Sequence, residues 1–186
     1  TNFVEAELPP LKLDYTSPTT EILNNGHTVQ INFAPGSILT LDGINFELKQ
    51  VHFHTPSENQ IDSTPYPMEC HLVHADESGQ LAVIAVMYGE GKENPMLASA
   101  WEVMPTSAGK QVTLTTGNGE GVLPAGREYF RFNGSLTTPP CTEGVRWIVM
   151  SDVAELSKDQ IQKFREVMKT PNNRPIQPTN ARLILQ

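Results

Sequence analysis

The chain reads as a β-dominated α+β protein forming a single domain over residues 1–186. Three observations predict this. Short runs alternate apolar and polar residues with period two, Asp42-Gly43 sets a two-residue hairpin between two such runs, and only two segments carry helix start signals.

Pro9, Pro10 and Pro18 make the first eighteen residues an irregular lead-in, with a short strand near Leu11-Lys12-Leu13. Asn25-Gly26 marks a turn, and His27 stands at the mouth of the alternating stretch Thr28-Val29-Gln30-Ile31-Asn32-Phe33. Strands over 37–41 and 44–54 flank Asp42-Gly43, and a further strand carries His71. The run 81–88 is apolar on both faces and belongs near the middle of the sheet. Asn94 as N-cap and Pro95 in the first turn open a helix expected to run through Trp101 and Met104. Residues 117–121, rich in glycine, read as a surface loop, and strands follow near 129–132 and 145–150. Ser157, with Gln160 in the capping-box position, opens the second helix, whose apolar stripe is Ile161, Phe164, Val167 and Met168.

A net charge of −8 and a pI near 5.1 argue against nucleic acid and an anionic membrane surface as partners. No apolar run approaches the roughly 20 residues of a membrane span. Thr1-Asn2-Phe3-Val4-Glu5 has no signal-peptide pattern, so any export signal is expected to have been removed. Two cysteines do not make a disulfide framework. Cys70 falls opposite His71 in strand alternation and reads as a small buried hydrophobe, while Cys141 follows Pro139-Pro140 in a turn.

The chemistry centres on Gln50-Val51-His52-Phe53-His54. Even positions from Ile44 through Phe46, Leu48, Gln50 and His52 to His54 are expected to share one strand face. In Glu69-Cys70-His71-Leu72-Val73-His74, Glu69, His71 and Val73 share a face as well. If the two strands are neighbours, His52, His54 and His71 converge as three ligands with one position open, the arrangement of catalytic zinc. Gln50 and Glu69 each stand two residues before a histidine and can accept the ring N–H turned away from the metal.

Taken together, Gln50-Val51-His52-Phe53-His54, Ser57-Glu58-Asn59, Glu69 to His74 and Ser135-Leu136-Thr137-Thr138-Pro139-Pro140 closely resemble the α-class carbonic anhydrases, particularly the bacterial ones. Asn24-Asn25-Gly26-His27 and Asn173-Arg174-Pro175-Ile176-Gln177-Pro178 match too. The resemblance implies a twisted, mostly antiparallel central sheet of about ten strands with short peripheral helices. It also implies a Zn2+ cofactor and reversible hydration of carbon dioxide to bicarbonate and a proton by zinc-hydroxide attack. Thr137 would orient the hydroxide while donating its own proton to Glu58, and His27 would shuttle protons to solvent. The apolar pocket for the substrate would comprise Val73, Val83, Leu136, Val145 and Trp147, with Thr138 beside them.

Sulfonamides and anions are the inhibitors so implied, the location is periplasmic or secreted, and a homodimer is allowed. Family members carry some tens of residues before the position of Thr1, and bacterial relatives pair the cysteine at the Cys141 position with one upstream, so two free thiols are expected here. Two other function classes compete: a non-catalytic carbonic anhydrase-like binding module, which loses a ligand histidine, and a zinc hydrolase of activated esters. The presence of His52, His54, His71, Thr137 and Glu58 argues against the binding module.

Overall fold

A computed structural model describes residues 3–186. Its strands are β1 (Lys12–Asp14), β2 (Thr19–Asn24), β3 (Val29–Phe33), β4 (Ile38–Leu41), β5 (Ile44–His54), β6 (Met68–Ala75), β7 (Leu81–Glu90), β8 (Lys110–Thr113), β9 (Tyr129–Ser135), β10 (Glu143–Met150) and β11 (Ala154–Leu156). They form one sheet whose main path runs β8-β2-β3-β5-β6-β7-β10-β9, with β4 and β1 continuing from β5 and β11 from β7. Pairing is antiparallel except where β10 and β11 run parallel to β7. Asp42 and Gly43 both take positive φ between β4 and β5, as the tight hairpin requires.

Alternation along β7 and β10 separates two cores. Ala82, Ile84, Val86, Tyr88, Ile148 and Met150 belong to the larger one, while Val83, Ala85, Met87, Val145, Trp147 and Val149 form the smaller. This explains the doubly apolar run in β7, which is covered on both faces.

The larger face takes the helices α1 (Pro95–Glu102) and α2 (Lys158–Met168). Asn94 caps α1 and the Ser157–Gln160 capping box starts α2, as the sequence predicts. α1 stops at Glu102, short of Met104, because Pro105 disfavours helical geometry in the residue before it. Phe53 packs edge-on against Trp101 at 5.0 Å and against Phe164 at 6.0 Å, so both helices brace β5 from behind. The segment expected as loop holds a short 3-10 turn, Gly119–Val122, capped by Asn118. Gly119 is needed there, since a Cβ would lie 2.6 Å from the Tyr15 ring.

Both cysteines are free, Cys70 buried and Cys141 partly exposed at φ +57°. A thiol-reactive dye should label one group in the native protein and two in denaturant. Labelling of neither in denaturant would reveal a bridge and contradict the placement of Cys70 in the larger core.

Candidate metal centre

β5 and β6 pair antiparallel with His52 opposite His71 and His54 opposite Glu69. The single even-numbered face expected from Ile44 to His54 does not hold. A bulge lies between Leu48 and Gln50, and Phe46 and Leu48 before it join the same core as Val51 and Phe53 after it. One extra residue in a strand moves every later side chain to the other side. Phe46 and Leu48 are thus on the helix side, while His52 and His54 stand with His71 on the other.

The candidate ligand atoms of His52, His54 and His71 lie within 4.8 Å of one another. In each ring the second nitrogen is engaged elsewhere. His52 Nδ1 meets Gln50 Oε1 at 2.9 Å and His71 Nε2 meets Glu69 Oε1 at 2.8 Å, the partners expected from sequence. His54 Nδ1 donates to the backbone carbonyl of Asn172 at 3.1 Å, a partner the sequence did not reveal. These bonds fix the tautomers and leave Nε2 of His52, Nε2 of His54 and Nδ1 of His71 as lone-pair donors. His54 Nε2 is buried without any hydrogen-bond partner, an uncommon state that a bound cation would relieve.

Burial, with the neighbouring ring of His71, holds the His54 pKa down to about 3 and pushes that of His52 well below its usual range. Burial also acts to lower His71, but the charge and hydrogen bond of Glu69, helped by Glu58, outweigh it and raise the pKa.

Glu69 is fully buried, and all four of its hydrogen bonds come from donors. Oε2 accepts from the backbone N–H of Glu58 at 2.6 Å and of Asn59 at 2.8 Å, while Oε1 accepts from Asn59 Nδ2 at 2.7 Å as well as from His71. Burial raises its pKa, yet His71 and the Asn59 donors prevail and the carboxyl sits below its ordinary value. Glu58 Oε1 accepts from the backbone N–H of Arg174 at 2.6 Å, and Oε2 is buried without a partner, 4.0 Å from His71 Nδ1. Burial raises the Glu58 pKa against the pull of His71, Arg174 and the Thr137 hydroxyl. A cavity of about 560 Å³ opens beside these groups, with Glu58, Thr137, Trp147 and Cys141 in its lining.

The model of the eukaryotic-type carbonic anhydrase family matches residues 1–186. The chain belongs to this family. A carbonic anhydrase of Neisseria gonorrhoeae is 46% identical over 187 residues, which cover 100% of this chain and 74% of that protein. The solved α-carbonic anhydrase of Photobacterium profundum is 52% identical with a TM-score of 0.95, covering 100% of this chain and 85% of that one. That of Thermovibrio ammonificans, solved with the inhibitor sulfanilamide, is 45% identical with a TM-score of 0.95, covering 99% of this chain and 82% of that one.

In this carbonic anhydrase Val83, Val145 and Trp147 belong to the smaller core, with Val73 and Leu136 packed against it, and the His71 ring meets Trp147 edge-on at 4.9 Å. Thr138 is exposed in the turn before Cys141, whose N–H it accepts, and is not brought into that cluster. His27 is exposed, its loop shaped by the Asn25 side chain, which accepts from the N–H groups of His27 and Thr28, each at 2.9 Å.

His74, on the opposite face from His71, is structural. Its Nδ1 donates to the Ala82 carbonyl at 3.2 Å and its Nε2 accepts from the Tyr15 hydroxyl at 2.5 Å. Burial lowers its pKa to about 4. An unfolded histidine protonates near pH 6.5, so between pH 6.5 and 4 the unfolded chain binds more protons and stability is lost as the pH is lowered, by about 3 kcal/mol for this residue. The His74 ring resonances should stay fixed from pH 7 to 5; a midpoint near 6.5 would contradict the assignment.

Proposed function

We propose that this carbonic anhydrase is a zinc enzyme interconverting carbon dioxide and bicarbonate. The observation that supports it best is the convergence of three lone-pair nitrogens from His52, His54 and His71 while their outward nitrogens are held by Gln50, Asn172 and Glu69. Among the described residues the group contains no fourth histidine, cysteine or carboxylate, which suits a catalytic rather than a structural zinc. Zinc held by neutral histidines supplies a Lewis acid that brings a bound water's pKa to about 7, a value established for carbonic anhydrases in general.

The surrounding residues have distinct tasks. An ionised Glu58 can only accept, so a Thr137 hydroxyl that donates to it would turn an oxygen lone pair to the pocket, favouring ligands that bring their own proton. Val73, Val83, Leu136, Val145 and Trp147 offer an apolar wall, suited to carbon dioxide, which has neither charge nor dipole. His27, exposed at the end of its loop, carries the released proton to solvent.

Carbon dioxide hydration followed by stopped flow should vanish when a chelator strips the protein and return on adding zinc. An unchanged rate after stripping would overturn the reading. Hydrolysis of an activated ester should be the slower reaction, and the reverse order would favour an esterase. Replacing His27 with Ala should lower turnover in dilute buffer, with recovery as imidazole is added; equal rates at all buffer concentrations would show that another group carries the proton. Sulfonamides should inhibit only the zinc-loaded protein, by analogy with the sulfanilamide complex of the Thermovibrio ammonificans relative. A periplasmic or secreted location is part of this reading and is tested by cell fractionation.

A further inference from the structure

We infer that Asn172 is a positioning residue for proton export, its side-chain amide tying the backbone of His27 to the metal-binding strand. The inference rests on the reading of His27 as the proton carrier and extends it to a residue 145 positions away in sequence. Asn172 follows α2 in irregular backbone and uses every polar group it has. Its own N–H donates to the Thr55 carbonyl at 3.2 Å, and its carbonyl accepts from His54 Nδ1 at 3.1 Å. Its Oδ1 accepts from the N–H of Thr55 at 2.8 Å. Its Nδ2 donates to the carbonyls of Phe53 at 2.9 Å and His27 at 3.0 Å. The amide has only one satisfactory orientation, because a flip would set two donors against the Thr55 N–H and an acceptor against two carbonyls.

The tether reaches β5 at Phe53, midway between His52 and His54, and a second strut lands on the same residue. Thr28 Oγ1 donates to the Phe53 carbonyl at 2.5 Å and accepts from the Phe53 N–H at 3.2 Å. At the other end of the loop Asn24 Oδ1 accepts from the Gly26 N–H at 3.0 Å, and Asn24 Nδ2 donates to the Pro105 carbonyl at 3.2 Å. The backbone of the 24–28 loop is thereby fixed on both sides of His27, while the imidazole stays in solvent. Hairpin loops are ordinarily among the more mobile parts of a fold. A relay through water depends on a constant span between the proton's source and its acceptor, and Asn172 sets that span by acting on the His27 carbonyl rather than on its ring.

The test compares the zinc-loaded protein with Asn172→Asp, Asn172→Ala, His27→Ala and the double substitution of Asn172 and His27 by Ala. Aspartate keeps the acceptor for Thr55 but loses both donors. Turnover in dilute buffer should fall about 10-fold, inside the ~100-fold range of a 1 Å misplacement, whereas kcat/KM and zinc content fall less. Imidazole should restore turnover, and the double variant should be no slower in dilute buffer than His27→Ala alone. Amide hydrogen exchange over residues 25–28 should quicken in both Asn172 variants and not in His27→Ala. Equal losses of kcat/KM, turnover and zinc would overturn the inference and reduce Asn172 to a support for His54. Additive losses in the double variant, or unchanged exchange over 25–28, would overturn it too. Failure of the underlying functional reading is distinguishable, because the unsubstituted protein would then bind no zinc, and the exchange result alone would decide the tether.

Discussion

Replacing Glu69 with Gln should strip most of the zinc from the protein, although the two side chains have almost the same shape. All four groups around the Glu69 carboxylate are donors, and a glutamine amide offers only one acceptor oxygen. With its NH2 toward His71, the ring must accept at Nε2 and carry its proton on Nδ1, the nitrogen needed for the metal. With its NH2 reversed, it meets the N–H groups of Glu58 and Asn59. Metal affinity should drop about 10–100-fold, the usual cost of losing an outer partner. Stability should drop too, by about 1–3 kcal/mol, because a buried donor that faced the carboxylate is left without an acceptor. Metal analysis and urea unfolding check both, and retention of full zinc with an unchanged midpoint would refute the tautomer argument.

His71→Ala should lose more metal still, since it removes one of the three donors grouped among the described residues and leaves Glu69 buried without the ring that faces it. Carbon dioxide hydration should fall to background. The chain should remain folded, because the larger core is built independently of the site and a protein of 186 residues needs no metal to cohere. Circular dichroism should therefore be nearly native while zinc content falls below that of Glu69→Gln. Unchanged zinc in His71→Ala would remove the basis of the functional reading.

Much of this site can be read from local pattern. Gln50 and Glu69 announce their roles by standing two residues before a histidine, because a strand returns side chains to one face at that interval. The Asp42-Gly43 hairpin and the Ser157–Gln160 capping box are equally local, each being a short-range bond between residue types that few other structures favour. Asn172 escapes because it holds His54 through its backbone carbonyl, and any residue type has one. Arg174 meets Glu58 through its N–H, which is likewise invisible in sequence. The bulge before Gln50 is hidden for a different reason. Lys49 and Gln50, two polar residues in succession, are its only trace, and polar pairs in strands are common. Thr137 lines the cavity while the adjoining Thr138 is exposed, a difference that two identical residues in succession cannot announce.

That bulge makes the metal centre hostage to chain length rather than to the identity of any ligand. Excising the one extra residue between Leu48 and Gln50 would carry His52 and His54 to the helix side and bring Val51 and Phe53 out in their place, with every histidine still encoded. A single in-frame codon deletion could thus silence the site as thoroughly as a ligand substitution, and a scan for the three histidines would miss the loss. Among sequences of this kind, the spacing between the Asp42-Gly43 turn and the histidine pair is therefore as informative about metal competence as the histidines themselves.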